Sequence, residues 1–152
     1  MPVSSTFSNE HEFFMARCIE LALIAKQRGD AAVGSVLVLK GKIIAEGIEG
    51  GKTYQDITCH AEMEAIRHAR LLLKTHILSE CILYTTHEPC IMCSYAIRHS
   101  QIKTIVMALT TGNIGGMSSQ YPLLLDTSIE KWGNPPTLVT GILEDECRNL
   151  KS

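Results

Sequence analysis

The sequence lacks three features that would place the protein in a membrane or on long nucleic acid. No apolar run approaches the roughly 18 residues that a transmembrane helix needs, and the N-terminal segment lacks the basic and then apolar order of a signal peptide. Basic residues are not in excess, because 14 Lys and Arg stand against 16 Asp and Glu, for a net charge of -2. We therefore expect a cytoplasmic protein that binds no membrane and has no overall basic field, although a local basic patch is compatible with this composition.

The chain also lacks internal repeats, low-complexity segments and any linker that would divide it. Its 152 residues, 45% of them hydrophobic, fit a single domain over 1–152 with a true core. Six cysteines do not indicate disulfides, since no export signal marks an oxidising compartment. The spacing of Cys90 and Cys93 indicates metal or redox chemistry instead.

Helical and strand patterns alternate along the chain after an opening hairpin. The first predicted helix has an N-cap at Asn9 and a stop at Gly29. The other predicted elements are strands at 35–39, 43–47, 81–86, 104–109 and 137–141, and helices at 60–73, 89–99 and 142–150. This order predicts an α/β fold in which helices cover both faces of a five-stranded mixed sheet.

Two short motifs at predicted strand-to-helix junctions carry the chemistry. HAE places His60 two residues before Glu62, and PCxxC contains Cys90 and Cys93. Strand-to-helix connections at one end of an α/β sheet tend to bind ligands, and a helix N-terminus favours a thiolate over a thiol. The His and the two Cys therefore suit tetrahedral Zn²⁺ with one open position, where water would have its pKa lowered to about 7.

Glu62 lies close to these ligands but is not needed as one of them. A carboxylate there can take a proton from water and hand it to a leaving group such as ammonia. The HxE pair alone is a frequent surface coincidence, and a CxxC redox pair would leave His60 and Glu62 unexplained. A structural zinc site would need a fourth ligand, for which His87 and Cys59 are nearest. Together, the two motifs form the signature of zinc deaminases.

The segments HAEMEAIR and EPCIMCSYAIRHSQIKTIV resemble the cytidine-deaminase-like superfamily. Within it the chain is most similar to the branch that holds tRNA adenosine deaminases, guanine deaminases and fungal-type cytosine deaminases. The resemblance implies a three-layer α/β/α cytidine-deaminase-like fold, Zn²⁺ held by His60, Cys90 and Cys93, and proton transfer by Glu62. It also implies a homodimer or a larger homo-oligomer.

The same resemblance indicates several substrate contacts. Peptide N–H groups around Ala61 and Cys90 would position water and substrate, and Pro89 belongs to the same turn. Gly34 lies where the family often has P-x-G-A, although this chain reads Ala-Val-Gly-Ser. The glycine would let the backbone approach a flat ring.

Two departures from the family pattern bear on the choice of substrate. Glu49 stands where the family commonly has an Asn that binds the ring edge, and an ionised carboxylate only accepts hydrogen bonds. It would select an edge rich in N–H donors, unless it is merely an exposed loop residue. His87 replaces an apolar residue and would hydrogen-bond the substrate or pack at the strand end. Tyr121 or Trp132 would either stack on a base or belong to the core.

These observations predict a zinc-dependent hydrolytic deaminase of a free nucleobase, a nucleoside or a related amino-heterocycle, acting in salvage on a small-molecule partner. The alternative is a tRNA-specific adenosine deaminase acting at the wobble position. Motif spacing and the C-terminal segment favour this alternative, whereas the acidic balance, Glu49 and the short tail disfavour it. A second alternative is a non-catalytic zinc-binding member, which the intact Glu62 disfavours.

Overall fold

The computed structural model describes residues 3–151, with side chains from Glu10 onward. In this part of the chain the helices and strands alternate in the predicted order. The helices are α1 (Val3–Gln27), α2 (Ala61–Leu73), α3 (Ile91–His99) and α4 (Glu144–Asn149), and the strands are β1 (Gly34–Leu39), β2 (Lys42–Ile48), β3 (Cys81–His87), β4 (Thr104–Leu109) and β5 (Thr137–Val139). Two short 3-10 turns, Leu123–Leu125 and Glu130–Trp132, interrupt the long connection from β4 to β5.

The sheet has the strand order β2-β1-β3-β4-β5. β1 runs antiparallel to both β2 and β3, whereas β3, β4 and β5 are parallel. The carboxyl ends of β2, β3 and β4 therefore lie at one edge of the sheet, beside the start of β1. Because α2 and α3 both begin at this edge, it is the edge at which the two predicted motifs can meet.

Two hydrophobic clusters lie on opposite faces of the sheet. Side chains of α2 and α3, including Ala65, Ile66 and Ile97, pack with Leu83 and Met107 on one face. On the other face, residues of α1 and α4 cover the sheet; they include Phe14, Met15, Leu21 and Cys147, packed on Val36 and Val106. The predicted three-layer α/β/α fold with a five-stranded mixed sheet is confirmed.

Helix α1 differs from its prediction at its start and agrees with it at its end. It begins at Val3 and not after Asn9, whose side chain lies outside the described residues, so the predicted start is wrong. The helix ends in a left-handed turn at Gly29, which has φ of 91°. The amide of Asp30 donates to Ala25 O at 2.9 Å and the amide of Gly29 donates to Lys26 O at 3.0 Å. This hydrogen-bond pair is the Schellman arrangement that ends many helices. No helix within residues 3–151 combines the length and apolar character needed to cross a bilayer.

Candidate active site

Two helix N-termini bring the predicted metal ligands together. His60 is the N-cap of α2 and Cys90 is the N-cap of α3, and both have extended backbone conformations. Neither side chain caps its own helix, because each is turned toward the space between the two helices. Cys93, one turn into α3, is fully buried and faces the same space.

The separations of these ligand atoms fit a tetrahedral zinc ion. His60 Nδ1 lies 3.4 Å from Cys90 Sγ and 3.5 Å from Cys93 Sγ. With Zn–S bonds of about 2.3 Å and Zn–N bonds of about 2.0 Å, the edge of a tetrahedron between nitrogen and sulfur is about 3.5 Å. In the described part of the chain the ligand cluster consists of these three side chains, so neither His87 nor Cys59 belongs to it. Three ligands leave the fourth position open, as in catalytic zinc sites.

The electrostatic setting favours the ligating form of Cys90. Its sulfur accepts hydrogen bonds from Cys93 and His60, and these lower the pKa of the Cys90 thiol to about 4. The hydrogen bond that Cys93 gives to Cys90 raises the pKa of Cys93, and burial raises it further. Cysteine binds a metal as its thiolate, and a bound divalent cation would favour the thiolate form of Cys93 as well.

Glu62 lies in the first turn of α2, directly beside the ligand cluster. Its side chain is 3% exposed, and its Oε1 lies 3.9 Å from Cys93 Sγ. The other oxygen, Oε2, accepts a hydrogen bond from the Thr85 hydroxyl at 2.9 Å. Burial raises the pKa of Glu62 to about 7, although the hydrogen bond from Thr85 opposes the shift. A carboxyl group with a pKa near neutral is suited to both accepting and releasing a proton.

The loop between β2 and α2 is fixed by a carboxylate at the end of α1. Asp30 Oδ1 accepts the amides of Lys52 and Thr53, each at 2.9 Å, and the Thr53 hydroxyl donates to Oδ2. Arg28 adds a hydrogen bond of 2.8 Å to the carbonyl of Glu49. The segment that leads into His60 therefore has a defined path.

Glu49 is a half-buried residue of this loop, next to the cluster. Burial raises the pKa of Glu49, and the shift is opposed by the charge of His60 and by the amides of Gly51 and Ala61. The Gly51 amide donates to Glu49 Oε2 at 3.2 Å. The structure thus brings Glu49, Ala61 and His60 together, with Glu49 half-buried, and a contact of Glu49 with substrate stays a prediction.

A second carboxylate fixes the glycine-rich loop after β4. Glu88 is 2% exposed and accepts hydrogen bonds from the amides of Thr111, Met117 and Ser118 and from the Ser118 hydroxyl. The loop is also bonded to the turn that carries Cys90, since the amide of Ile91 donates to Ile114 O at 2.9 Å. We call residues 111–118 the glycine-rich loop. It lies against the turn that carries Cys90, and its position depends on Glu88.

The structure places other predicted contacts differently. A Cβ at Gly34 would overlap the backbone of α1 at Cys18, so this glycine makes room for the helix and not for a ring. Any contact of Gly34 with a substrate would involve its backbone, and that stays a prediction. Pro89 is buried, and its carbonyl accepts the Gly116 amide at 2.8 Å. A substrate contact of Pro89 likewise stays a prediction.

His87 and the two candidate stacking residues differ in their surroundings. His87 ends β3, half-buried, with Nδ1 3.2 Å from Thr86 Oγ1, and burial lowers the pKa of His87 to about 4. Trp132 is 3% exposed and lies under the Arg98 guanidinium, so it belongs to the core and cannot stack on a base. Tyr121 is 59% exposed and is free to do so.

Several residues that shape the site were missed in the sequence. Thr85 and Ser35, which lie behind Glu62, are polar residues in apolar strands. Period-two alternation with Leu83 and Leu37 could have placed them on the face covered by α2. Asp30 follows a predicted helix stop, but nothing in the sequence indicates which loop it binds.

Comparison with known proteins agrees with this geometry. Residues 8–109 match the family described as the cytidine and deoxycytidylate deaminase zinc-binding region. With the ligand cluster, this match makes Zn²⁺ the cofactor, as predicted. The tRNA-specific adenosine deaminase of Aquifex aeolicus (strain VF5) is 36% identical over 124 residues, which cover 80% of this chain and 82% of that protein.

Two solved structures resemble the chain to different extents. One, from a study of A-to-I editing by tRNA:A34 deaminases at the wobble position of transfer RNA, has a TM-score of 0.84 at 29% identity and covers 91% of this chain and 98% of its own. Guanine deaminase from Bacillus subtilis is 42% identical, with a TM-score of 0.63, and covers 66% of this chain and 64% of its own.

The predicted free nucleobase or nucleoside substrate is contradicted by these likenesses. The curated relatives that match most of both chains are tRNA-specific adenosine deaminases, including that of Bacillus subtilis (strain 168), which is 34% identical over 143 residues that cover 94% of this chain and 87% of that protein. The net charge of -2 and Glu49 favoured a small-molecule substrate over tRNA. Neither of these outweighs a likeness that extends over most of the chain.

Proposed function

Because the chain belongs to the cytidine and deoxycytidylate deaminase zinc-binding family, we propose that it deaminates adenosine to inosine in tRNA, at the wobble position. This is the alternative function drawn from the sequence. One observation carries the choice of substrate: the likeness to tRNA-specific adenosine deaminases extends over most of both chains. A member retained only for structure would have no use for the buried Glu62 beside an open metal position.

The reaction forms a C6–O bond on the adenine ring, breaks the bond between C6 and the exocyclic amino nitrogen, and releases that nitrogen as ammonia. His60, Cys90 and Cys93 would hold Zn²⁺, which when bound supplies a nucleophile by lowering the pKa of water. Glu62 takes a proton from the attacking water and delivers it to the departing nitrogen. Its Oε1 lies on the ligand side of the carboxylate, 3.9 Å from Cys93 Sγ, which is the side from which both transfers occur.

The rim of the site supplies the substrate contacts in this proposal. Glu49 and the Ala61 amide lie together beside His60. His87 stands at the end of β3 with a neutral ring at pH 7, since its pKa is lowered to about 4. A neutral imidazole can both donate and accept a hydrogen bond, and it can therefore pair with an adenine edge or with a ribose hydroxyl.

Recognition of RNA requires surfaces beyond the base that reacts. Single-stranded loops are bound through stacking of their bases on aromatic side chains. Tyr121, which follows the glycine-rich loop, is exposed and can stack on a base in this way. Lys151 is close enough to His87 for its charge to lower the pKa of His87, so a cation lies near His87. It can meet a phosphate although the chain as a whole carries a net charge of -2.

The homodimer implied by the resemblance is retained as part of the proposal. Large apolar side chains are exposed on α2 and α3, among them Leu71, Leu72 and Tyr95. Exposed apolar surface of this kind often marks a protein contact. Light scattering after gel filtration would give twice the chain mass of 16.8 kDa for a dimer, and a mass of one chain would remove this part of the proposal.

The function is tested with the zinc-loaded protein and an anticodon stem-loop carrying adenosine at the wobble position. Inosine is measured by nucleoside mass spectrometry, with adenosine, adenine, guanine and cytosine as separate free substrates. We expect inosine from the stem-loop and none from the free compounds. Turnover of guanine or cytosine without inosine formation would overturn the proposed substrate.

Two variants assign any activity to the site. Glu62→Gln removes the proton acceptor and should abolish inosine formation while zinc content stays at one ion per chain. Glu64→Gln is the matched control, because Glu64 lies on the same helix and pairs with Arg67 outside the cluster. Equal loss in both variants would mean that the effect arises from α2 as a whole.

A further inference from the structure

Two buried hydroxyl groups stand in line behind Glu62. Ser35 Oγ donates to Thr85 Oγ1 at 2.9 Å, and Thr85 Oγ1 donates to Glu62 Oε2 at 2.9 Å. Ser35 and Thr85 have no exposed surface, and Glu62 is 3% exposed. The three side chains come from β1, β3 and α2, and they form one continuous series of hydrogen bonds. We call Ser35 and Thr85 the hydroxyl pair.

Backbone register sets the position of the hydroxyl pair. Ser35 lies directly opposite Thr85 in the antiparallel pairing of β1 with β3. Side chains two residues apart on a strand share a face, so the pair lies on the same face as Leu37 and Leu83, which pack with α2. The two hydroxyls are therefore directed at the first turn of α2 by the rigid centre of the sheet.

The hydrogen bonds in this series run in one direction. The Thr85 hydroxyl donates its single hydrogen to Glu62 Oε2. The Thr85 oxygen is then available to accept from Ser35. Aligned hydrogen bonds strengthen one another in a water-free interior, and Ser35 thus acts on Glu62 through Thr85, without touching it.

The hydroxyl pair also distinguishes the two oxygens of Glu62. Oε2 is taken by Thr85, whereas Oε1 faces the ligand cluster, 3.9 Å from Cys93 Sγ. We propose that Ser35 and Thr85 are positioning residues that hold the Glu62 carboxylate with Oε1 directed at the reacting atoms. The inference rests on the proposed role of Glu62 in proton transfer.

Kinetics on the stem-loop separate positioning from general stability. Thr85→Val keeps the shape and removes the hydroxyl, and we expect kcat to fall ten- to a hundredfold with KM within twofold of the parent. Thr85→Ser should restore kcat to within about threefold. Ser35→Ala should lower kcat two- to fivefold. Thr104→Val, on β4, is the control and should leave both constants unchanged.

A double variant tests whether the two hydroxyls act in series. Because Ser35 acts through Thr85, Ser35→Ala combined with Thr85→Val should be no slower than Thr85→Val alone. Independent, multiplying losses would overturn the series, and an unchanged kcat in Thr85→Val would overturn the role of the pair. The Thr85→Ser and Ser35→Ala variants keep the test valid where Thr85→Val does not fold.

A crystal structure of each variant decides the question without any substrate. With Thr85→Val we expect the Glu62 carboxylate to rotate from its position, while zinc content stays at one ion per chain. If the Glu62 carboxylate keeps the same orientation in the variant, the inference is wrong, even if the parent protein deaminates the stem-loop. If the parent does not act on tRNA but the carboxylate rotates, the proposed function fails and the positioning by the hydroxyl pair stands.

Discussion

Glu88 and Gly115 are in such close contact that no side chain fits at the glycine. A Cβ added to Gly115 would overlap the Glu88 carboxylate, which is already occupied by three amides and a hydroxyl of the glycine-rich loop. Glu88 and the glycine-rich loop therefore form one structural unit. A substitution at Glu88 or at Gly115 would test this contact.

Replacing the carboxylate should loosen this unit. In Glu88→Gln one carboxylate oxygen becomes an NH2 group, which cannot accept the amide hydrogens aimed at it. We expect the free energy of unfolding to fall by about 1–3 kcal/mol, the range for leaving a buried hydrogen-bonding group unsatisfied. Urea denaturation measures the change. Glu80→Gln, at an exposed glutamate, should change it by less than about 0.5 kcal/mol, and equal effects of the two variants would contradict the interpretation of Glu88.

Removal of zinc should destabilise the protein as well as inactivate it. Two helix N-termini direct a thiolate and an imidazole at one point, and without the ion two cysteines and His60 face one another in a largely buried space. We expect one zinc per chain by elemental analysis, a lower Tm after chelation and recovery on adding zinc back. Cys90→Ala should bind less than a tenth of the parent's zinc. Cys59→Ala, outside the cluster, should bind a full equivalent, and if both variants kept their zinc the ligand assignment would be wrong.

Arg98 should contribute more to stability than any surface arginine. It is 2% exposed, and its guanidinium donates to the carbonyls of Leu123 and Asp126 at 2.6 and 2.9 Å and lies 5.0 Å from the Trp132 ring centre. Arg98→Met would remove these charged hydrogen bonds to part-buried carbonyls, and we expect a loss of about 1.5–3 kcal/mol. Thermal and urea unfolding of Arg70→Met, at an exposed position of α2, provide the reference. A smaller loss for Arg98 than for Arg70 would be inconsistent with this account.

His87 should make stability depend on pH below neutrality. Its pKa falls from 6.5 in the free side chain to about 4, because burial disfavours the charged ring. Between these values the unfolded chain binds the proton and the folded protein does not, so stability is full above pH 6.5 and is lost as pH falls toward 4. In excess zinc, the parent should lose about 1–2 kcal/mol more than His87→Gln between pH 7.5 and pH 5. Exposed His76→Gln should follow the parent, and parallel pH profiles for all three proteins would contradict the prediction.

The order of elements and the ligand cluster were predictable because each depends on local sequence. A short continuous apolar run predicted β4 with its observed ends, Thr104–Leu109, and the HAE and PCxxC motifs located His60 and Cys90 at helix starts. A strand-to-helix junction places a residue at a sheet edge in any α/β fold, so the meeting of the two motifs followed from topology. The start of α1 was not predictable, because Ser and Thr near its beginning favour turns and caps.

What the sequence could not give were the pairings of polar side chains across long stretches of chain. Asp30 with Thr53, Ser35 with Thr85 and Glu88 with Ser118 each depend on the register of the sheet and on the path of a loop. The close packing of Gly34 on α1 is another such pairing, since the atoms beside it come from a distant part of the chain. Net charge is a poor guide to the substrate, because composition averages charge over the whole surface and does not reveal a local basic patch.

The left-handed end of α1 determines where the chain can accept insertions. An α-helix turns by about 100° per residue, so one residue added between Cys18 and Gly29 would rotate Asp30 away from Lys52 and Thr53. Cys18 cannot move in compensation, because its backbone is packed against Gly34. This part of α1 therefore has to keep a fixed length, although it lies on the face of the sheet opposite the ligands. Residues added in the exposed Lys40–Gly41 turn, in contrast, should be tolerated.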